Sequence, residues 1–214
     1  MRKIILTTAI SATLLSGCTA IDTTTKTESA KLTADYSAPS DKKRHTPQGL
    51  YVNAIGTQKM MTENADVILV DVRTPEEWQF VGYTKAAQLM IPGVMFDYSE
   101  MDTKQNKPRY MPTPNSKWIS TFEEKTADLN LDEDNTYIIM CRSGATRAAP
   151  IAKALDQYGY KNVYIMTDGF EGGKLKKGDK KGFRLKNGWK NSGADWTYKI
   201  DPKKVYFKNY GVKY

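Results

Sequence analysis

The sequence predicts an α/β domain, a parallel sheet covered by helices. Three observations carry this. Short apolar runs alternate with helix-type patterns along the chain, the mark of parallel strands joined by covering helices. Thr74-Pro75-Glu76-Glu77 follows one such run and is a strong helix start: Thr74 caps, Pro75 fits the first helical position, and Glu77 completes a capping box. The run Tyr137-Ile138-Ile139-Met140 leads into Cys141-Arg142-Ser143-Gly144-Ala145-Thr146-Arg147 and then into Ala148-Ala149-Pro150-Ile151, which reads as strand, tight loop, helix.

Taken in order, Ala54 to Met61 is a short helix. Val67-Ile68-Leu69-Val70 is a buried strand ending at Asp71, and the capped helix follows. Ala86 to Met90 is a further strand, ended by Pro92-Gly93. Ser116 to Lys125 is helical. Thr136 to Met140 is the strand before the cysteine loop, and Ala148 to Tyr158 is a helix stopped by Gly159. Asn162 to Met166 is a last strand, closed by Asp168-Gly169.

Two stretches break the alternation. Residues 96–115 hold Pro108, Pro112 and Pro114 with Tyr98, Tyr110 and Met111. They read as an inserted loop without structure of its own, of the kind that is functional or mobile. From Gly172 onward the chain is rich in Gly and Lys, then carries Trp189, Trp196, Tyr198, Tyr206 and Phe207, aromatics expected to pack the tail back on the domain.

The ends carry separate signals. Arg2-Lys3 precedes an uncharged run, Ile4 to Leu15, and then Ser16-Gly17-Cys18. A basic start, a short apolar stretch and small residues mark a secretory signal over residues 1–17. Leu15-Ser16-Gly17-Cys18 resembles the lipobox of bacterial lipoproteins. That resemblance implies that Cys18 is lipidated, becomes the mature N-terminus and anchors the chain to a membrane. Thr19 rather than Asp follows it, which in Gram-negative lipoproteins favours the outer membrane, at its periplasmic face. Residues 18–46 are rich in Thr, Ser, Ala, Asp and Lys and read as a flexible tether. The folded domain then runs over residues 47–214.

Net charge is +8, unevenly spread: residues 174–214 hold 13 basic and 3 acidic side chains. Such a basic extension is a solvated surface or a contact for anionic lipid, polyanions or an acidic partner. An exported protein does not meet nucleic acid, so none is expected as a partner. A protein partner would use the insertion or the basic extension.

With Cys18 lipidated, the second of the two cysteines, Cys141, has no partner within the chain. It sits between the end of a buried strand and the start of a helix. Successive backbone N–H groups in such a loop, together with the helix's partial positive charge, favour the thiolate, the reactive form. The competing reading is an inert, buried small hydrophobe, and the position beside a glycine loop argues against it. The one histidine, His45, lies in the tether stretch, so no Cys–His pair is expected. Ligands are too few for a zinc cluster, and no metal or other cofactor is expected.

These residues together resemble the rhodanese-like superfamily. Val70-Asp71-Val72-Arg73-Thr74-Pro75-Glu76-Glu77-Trp78 is similar to its first signature. Gly82 through Pro92 is similar to a degraded second, with Tyr83 where His is usual. Cys141 to Arg147 resembles the active-site loop. Asp168-Gly169-Phe170, with Gly188-Trp189 and Gly193 to Trp196, resembles the C-terminal signature. The resemblance spans about residues 48 to 198. It implies a single domain with a parallel sheet of about five strands flanked by helices. It also implies that Cys141 accepts a sulfane sulfur from a small donor such as thiosulfate and passes it to a thiophilic acceptor. Arg142, Ser143, Gly144, Ala145, Thr146 and Arg147 would form the substrate-binding loop. Asp71 is expected to tie down a loop more than to catalyse. Arg73 is expected to pair with Glu76 or Glu77.

Two other functions stay open. Cys141 and Arg147 have the C-x5-R spacing of phosphate-binding loops in phosphatases and arsenate reductases, although Met140 stands where those loops usually have His. Alternatively the domain binds partners or senses redox state without turnover.

Overall fold

The computed structural model describes residues 32–104, 108–144 and 146–205. The chain divides into two compact units, residues 1–31 and 32–214, and every described residue belongs to the second. Its strands are β1 (Leu50–Val52), β2 (Val67–Asp71), β3 (Leu89–Met90), β4 (Val94–Asp102), β5 (Arg109–Pro114), β6 (Thr136–Met140) and β7 (Val163–Met166). Its helices are α1 (Ala54–Glu63), α2 (Pro75–Val81), α3 (Trp118–Asp128) and α4 (Ala148–Gln157).

Five strands form one sheet in the order β1-β7-β6-β2-β3, and every pair in it is parallel. The run Val67 to Asp71 is buried throughout because both faces of the sheet are covered. Alternation along the strands divides two cores. Ile68, Val70, Tyr137, Ile139 and Ile165 face Phe122 of α3 and Ala152 and Leu155 of α4. Val67, Leu69, Ile138 and Met166 face Ala54 of α1, Trp78 of α2 and Trp189. Phe122 organises its side, with its ring 5.1 Å from Trp118, 5.2 Å from Tyr137 and 5.3 Å from Tyr160. Each such aromatic contact is worth about 0.5–1.5 kcal/mol beyond its buried area.

The helix start at Thr74 forms as its residues dictate. The Glu77 amide donates to the Thr74 hydroxyl, and the Glu77 carboxylate accepts from the Thr74 amide at 2.9 Å. β1 is an addition to the sequence reading: three residues at the sheet edge, too short a run to show periodicity.

The described part of the insertion is a two-stranded ribbon rather than a structureless loop. β4 and β5 pair antiparallel from Val94↔Pro114 to Asp102↔Arg109, with a register shift between Asp97 and Met101. Pro112 and Pro114 are tolerated because a two-stranded ribbon leaves one side of each strand without a neighbour that needs an N–H. Across the ribbon the Tyr98 and Tyr110 rings meet edge to face at 5.0 Å. Asn115 fastens its base, donating to the Gly93 carbonyl at 3.1 Å and the Pro92 carbonyl at 2.9 Å.

Residues 32–46, assigned to the tether by composition, lie along the domain. The Asn53 amide donates to the Asp35 carbonyl at 2.8 Å, and the Asn53 side chain donates to the Thr33 carbonyl at 2.6 Å. Thr46 is buried, its amide donating to the Tyr51 hydroxyl at 3.1 Å. These contacts run through backbone groups, which a composition poor in apolar residues does not advertise. The signal segment, Cys18 and the tether up to residue 31 lie outside the described residues. No helix among the described residues is long and apolar enough to cross a membrane.

The tail closes over the second core. Tyr83 is fully buried and exchanges two backbone hydrogen bonds with Thr197, at 2.9 and 2.8 Å. Its hydroxyl donates to the Lys199 carbonyl at 2.8 Å. Trp189 is buried, and its indole N–H donates to the Asp195 carbonyl. The expectation that these aromatics pack the tail back therefore holds for Trp189 and Trp196, while Tyr198 stays exposed and Tyr206 and Phe207 lie outside the described residues.

Candidate active site

The carboxyl ends of β2, β6 and β7 lie side by side, and three sequence motifs meet there. Cys141 leaves β6, Asp71 ends β2, and Asp168-Gly169 follows β7. This is the edge at which open α/β sheets bind ligands.

The loop after Cys141 is shaped by two glycines. Gly144 has φ +70° and Gly169 has φ +63°. A β-carbon on Gly144 would run into the Thr167 carbonyl. One on Gly169 would run into the Cys141 carbonyl and the amides of Gly144 and Ser143. The two turns thus interlock with no room for a side chain. Two hydrogen bonds hold them: the Phe170 amide donates to the Cys141 carbonyl at 2.8 Å and the Glu171 amide to the Arg142 carbonyl at 2.9 Å.

Loop carbonyls are used in this way, but loop donors are not. Among the described residues, no acceptor takes the N–H groups of Arg142, Ser143, Gly144, Thr146 or Arg147. α4 starts at Ala148 with no side-chain cap, which leaves its own first-turn donors available. The segment is therefore rich in uncommitted N–H groups beside the sulfur-bearing residue, an arrangement suited to negative charge. Ala145 lies outside the described residues.

Cys141 has no disulfide partner among the described residues, is only 2 % exposed, and belongs to the hydrophobic core on the α3/α4 side. The open space lies beyond it. Arg142, Ser143, Thr146 and Arg147 line one wall of a cavity of about 810 Å³. The β4–β5 ribbon also lines it, with Phe96, Met101 and Tyr110.

Charge around the loop is dominated by arginine. Arg147 forks onto Glu77, joining the start of α4 to the first turn of α2, with one nitrogen 2.8 Å from Oε1. Burial alone would raise the Glu77 carboxyl; the hydrogen bond and charge of Arg147, with the Thr74 amide and Arg73, outweigh it and hold Glu77 below the usual range. Burial likewise opposes the charge on Arg147, but Glu77, then the charges of Cys141 and Asp71, hold its pKa above the ordinary value. Arg142 pairs with Glu171 and lies 4.0 Å from Glu77. Arg184, from the basic extension, also lines the cavity. Burial and the nearby positive charge of Arg142 lower it, against the opposite pull of Glu171, Cys141 and Glu77.

Asp71 and Arg73 form a pair of their own. Both side chains are fully buried. The Arg73 Nε donates to Asp71 at 3.0 and 3.1 Å, a second nitrogen donates at 2.6 Å, and the third reaches the Gly82 carbonyl at 2.9 Å. The guanidinium also lies 3.7 Å above the Phe170 ring. This corrects the expected partner: Arg73 binds Asp71, while Glu77 is taken by Arg147. Asp71, Arg73 and Phe170 thus form a support beneath the cysteine loop. Asp168 is a second support, accepting from the Ala54 amide at 2.8 Å and the Gly188 amide at 3.0 Å. Burial still keeps its carboxyl above the ordinary range.

Sequence reading missed Glu77 as a member of this site, because a capping role and an expected pairing with Arg73 accounted for it. It also missed Glu171 and Arg184, which no motif marks. His45, by contrast, donates a ring N–H to the Pro39 carbonyl at 2.7 Å.

The profile of the rhodanese-like domain matches residues 56–176. An uncharacterized protein of Rickettsia rickettsii is 33% identical over 140 residues, which span 65% of this chain and 89% of that protein. One of Rickettsia prowazekii is 32% identical over the same shares. Among solved structures, a protein of M. tuberculosis superposes with a TM-score of 0.49 at 22% identity, covering 69% of this chain and 96% of its own. A polysulfide-sulfur transferase homodimer from Wolinella succinogenes gives 0.33 at 23% identity, covering 58% and 67%.

Proposed function

The chain belongs to the rhodanese-like domain family, and from that premise we propose that it transfers a sulfane sulfur through a persulfide on Cys141. The observation that carries the reading is the set of amides of Arg142, Ser143, Gly144, Thr146 and Arg147, uncommitted among the described residues, directly after the unpaired Cys141 and in a loop that lines a cavity. In the first step the Cys141 thiolate attacks the outer sulfur of an anionic donor such as thiosulfate. The donor's S–S bond breaks, its electron pair leaves with sulfite, and a persulfide remains on the enzyme. In the second step a thiophilic acceptor attacks the outer sulfur, and Cys141 leaves as thiolate. Two easier substitutions replace one difficult transfer. The amides are preorganised to hold the persulfide's charge, and Arg184, which no carboxylate pairs among the described residues, draws the anionic donor toward the loop.

Turnover tests this directly. With thiosulfate and cyanide the chain should produce thiocyanate and sulfite, and Cys141→Ser should abolish both products. Wild-type protein that yields neither product would remove the catalytic claim.

The 2 % exposure of Cys141 favours a second reading, in which the domain binds a partner or responds to oxidation without turnover. Partner capture by a chain that gives no thiocyanate would support it. The C-x5-R phosphatase is disfavoured by geometry. Such an enzyme needs the arginine fork for phosphate oxygens, and here Glu77 already holds it.

A further inference from the structure

Residues 174–186 carry seven basic side chains and one acidic, Asp179. They form a folded loop. Lys174 and Arg184 are bridged across it, the Leu175 amide donates to the Phe183 carbonyl at 2.9 Å, and the Gly182 amide donates to the Leu175 carbonyl at 2.9 Å. Arg184 pins the base by donating to the Gly172 carbonyl at 2.6 Å. Among the described residues, no carboxylate pairs with any of the loop's lysines. Phe183 is 63 % exposed and Leu185 45 %, so apolar tips stand among the charges.

The loop's position gives the charge a purpose. A second cavity of about 510 Å³ lies between it and the cysteine loop, lined by Lys174, Lys181, Phe183 and the carboxylate of Glu171, together with Arg142 and Arg184. The last two also line the larger cavity. The two spaces therefore meet beside the cysteine loop at Arg142, which Glu171 pairs, and Arg184, which no carboxylate pairs among the described residues. The larger one is of the size that holds organic ligands or side chains, well beyond the needs of a small inorganic donor.

We propose that the loop 174–186 is the docking surface for an acidic polypeptide that presents a cysteine to the active site. The proposal rests on the sulfur-transfer reading. The partner's cysteine thiolate attacks the outer sulfur of the Cys141 persulfide. The S–S bond breaks, the partner carries the persulfide away, and Cys141 leaves as thiolate, so no external oxidant or reductant is needed. A polypeptide fits better than a lipid surface because Arg184 lies at the wall of both cavities, where a carboxylate side chain reaches and a plane of headgroups does not. It fits better than nucleic acid because one exposed ring, Phe183, offers no stacking platform for successive bases.

Two peptides test it on the full chain. One has Asp and Glu around a single central Cys; the other replaces those acids with Lys. The chain is first loaded with thiosulfate, and sulfur arrival on each peptide is timed by mass. The acidic peptide should react roughly tenfold faster, an advantage that shrinks with added salt. The triple variant K176E/K177E/K180E, which alters only exposed side chains, should lose that advantage while transferring to dithiothreitol at the wild-type rate. Equal rates for the two peptides, or an advantage that survives the triple variant, would overturn the proposal. Binding is read separately by fluorescence anisotropy with Cys→Ser peptides. If no sulfur loads but the acidic peptide binds through the loop, the transfer chemistry fails and the docking surface stands. If anionic vesicles or RNA bind through the same lysines and the acidic peptide does not, the surface belongs to that other partner and the proposal fails.

Discussion

Arg147 and Glu77 lock two helix starts together: the last residue of the cysteine loop forks onto the carboxylate that closes the capping box of α2. The cysteine loop is thereby tied to β2's following helix as well as to its own strand. Glu77→Gln should lower stability by about 1–3 kcal/mol, because a part-buried guanidinium loses its charged partner. It should also slow sulfur loading, because Arg147 is released. Denaturant unfolding and the loading rate check both.

The same pair fixes a pH dependence. Glu77 is held below its ordinary value, so the native state binds its proton less readily than the unfolded chain does. Its contribution is complete above the unfolded carboxyl's pKa, about 4.3, and is lost as pH falls through the lower folded value. The stability gap between wild type and Glu77→Gln should therefore be constant near neutrality and narrow in acid. A gap that widens in acid contradicts the assignment.

Removing one half of the fully buried Asp71–Arg73 pair should cost about 3–5 kcal/mol, since the other half stays charged and unpaired. Asp71→Asn read by urea unfolding tests this. The double replacement Asp71→Leu/Arg73→Met should recover part of the loss.

Glycines at positive φ should separate by their surroundings. Gly159→Ala meets nothing within 4 Å and should cost about 1–2 kcal/mol of backbone strain alone. Gly169→Ala also drives a methyl into the cysteine loop and should cost about 3 kcal/mol or more, with loss of sulfur loading. Thermal unfolding of both variants checks the contrast.

The export reading is tested by fractionation. If Cys18 is lipidated, the wild-type chain should sediment with membranes in its native host and Cys18→Ala should not. A variant that stays membrane-bound removes the lipid anchor from the account.

The parallel sheet was legible because strands covered on both faces read as plain apolar runs, as Val67 to Val70 and Tyr137 to Met140 do. The cap at Thr74 was legible because three residue types at fixed spacing have one joint explanation. The ribbon β4–β5 was not, because Pro112 and Pro114 argue against strands everywhere except on such an edge. Within the site, Cys141 and its loop announced themselves through strand–glycine–helix order. The partner of Arg73 did not: Asp71 and Glu77 lie at nearby positions, and which one each arginine takes depends on how α4 lies beside α2. Arg184 reaches the cavity through a fold of the basic loop that its lysine-rich composition conceals.

The central claim is that Cys141 becomes a persulfide. Intact-mass measurement after incubation with thiosulfate tests it most directly. The account predicts a gain of one sulfur, about 32 Da, reversed by cyanide or dithiothreitol and absent in Cys141→Ser. An unchanged mass in folded wild-type protein, or the same gain in Cys141→Ser, would contradict it.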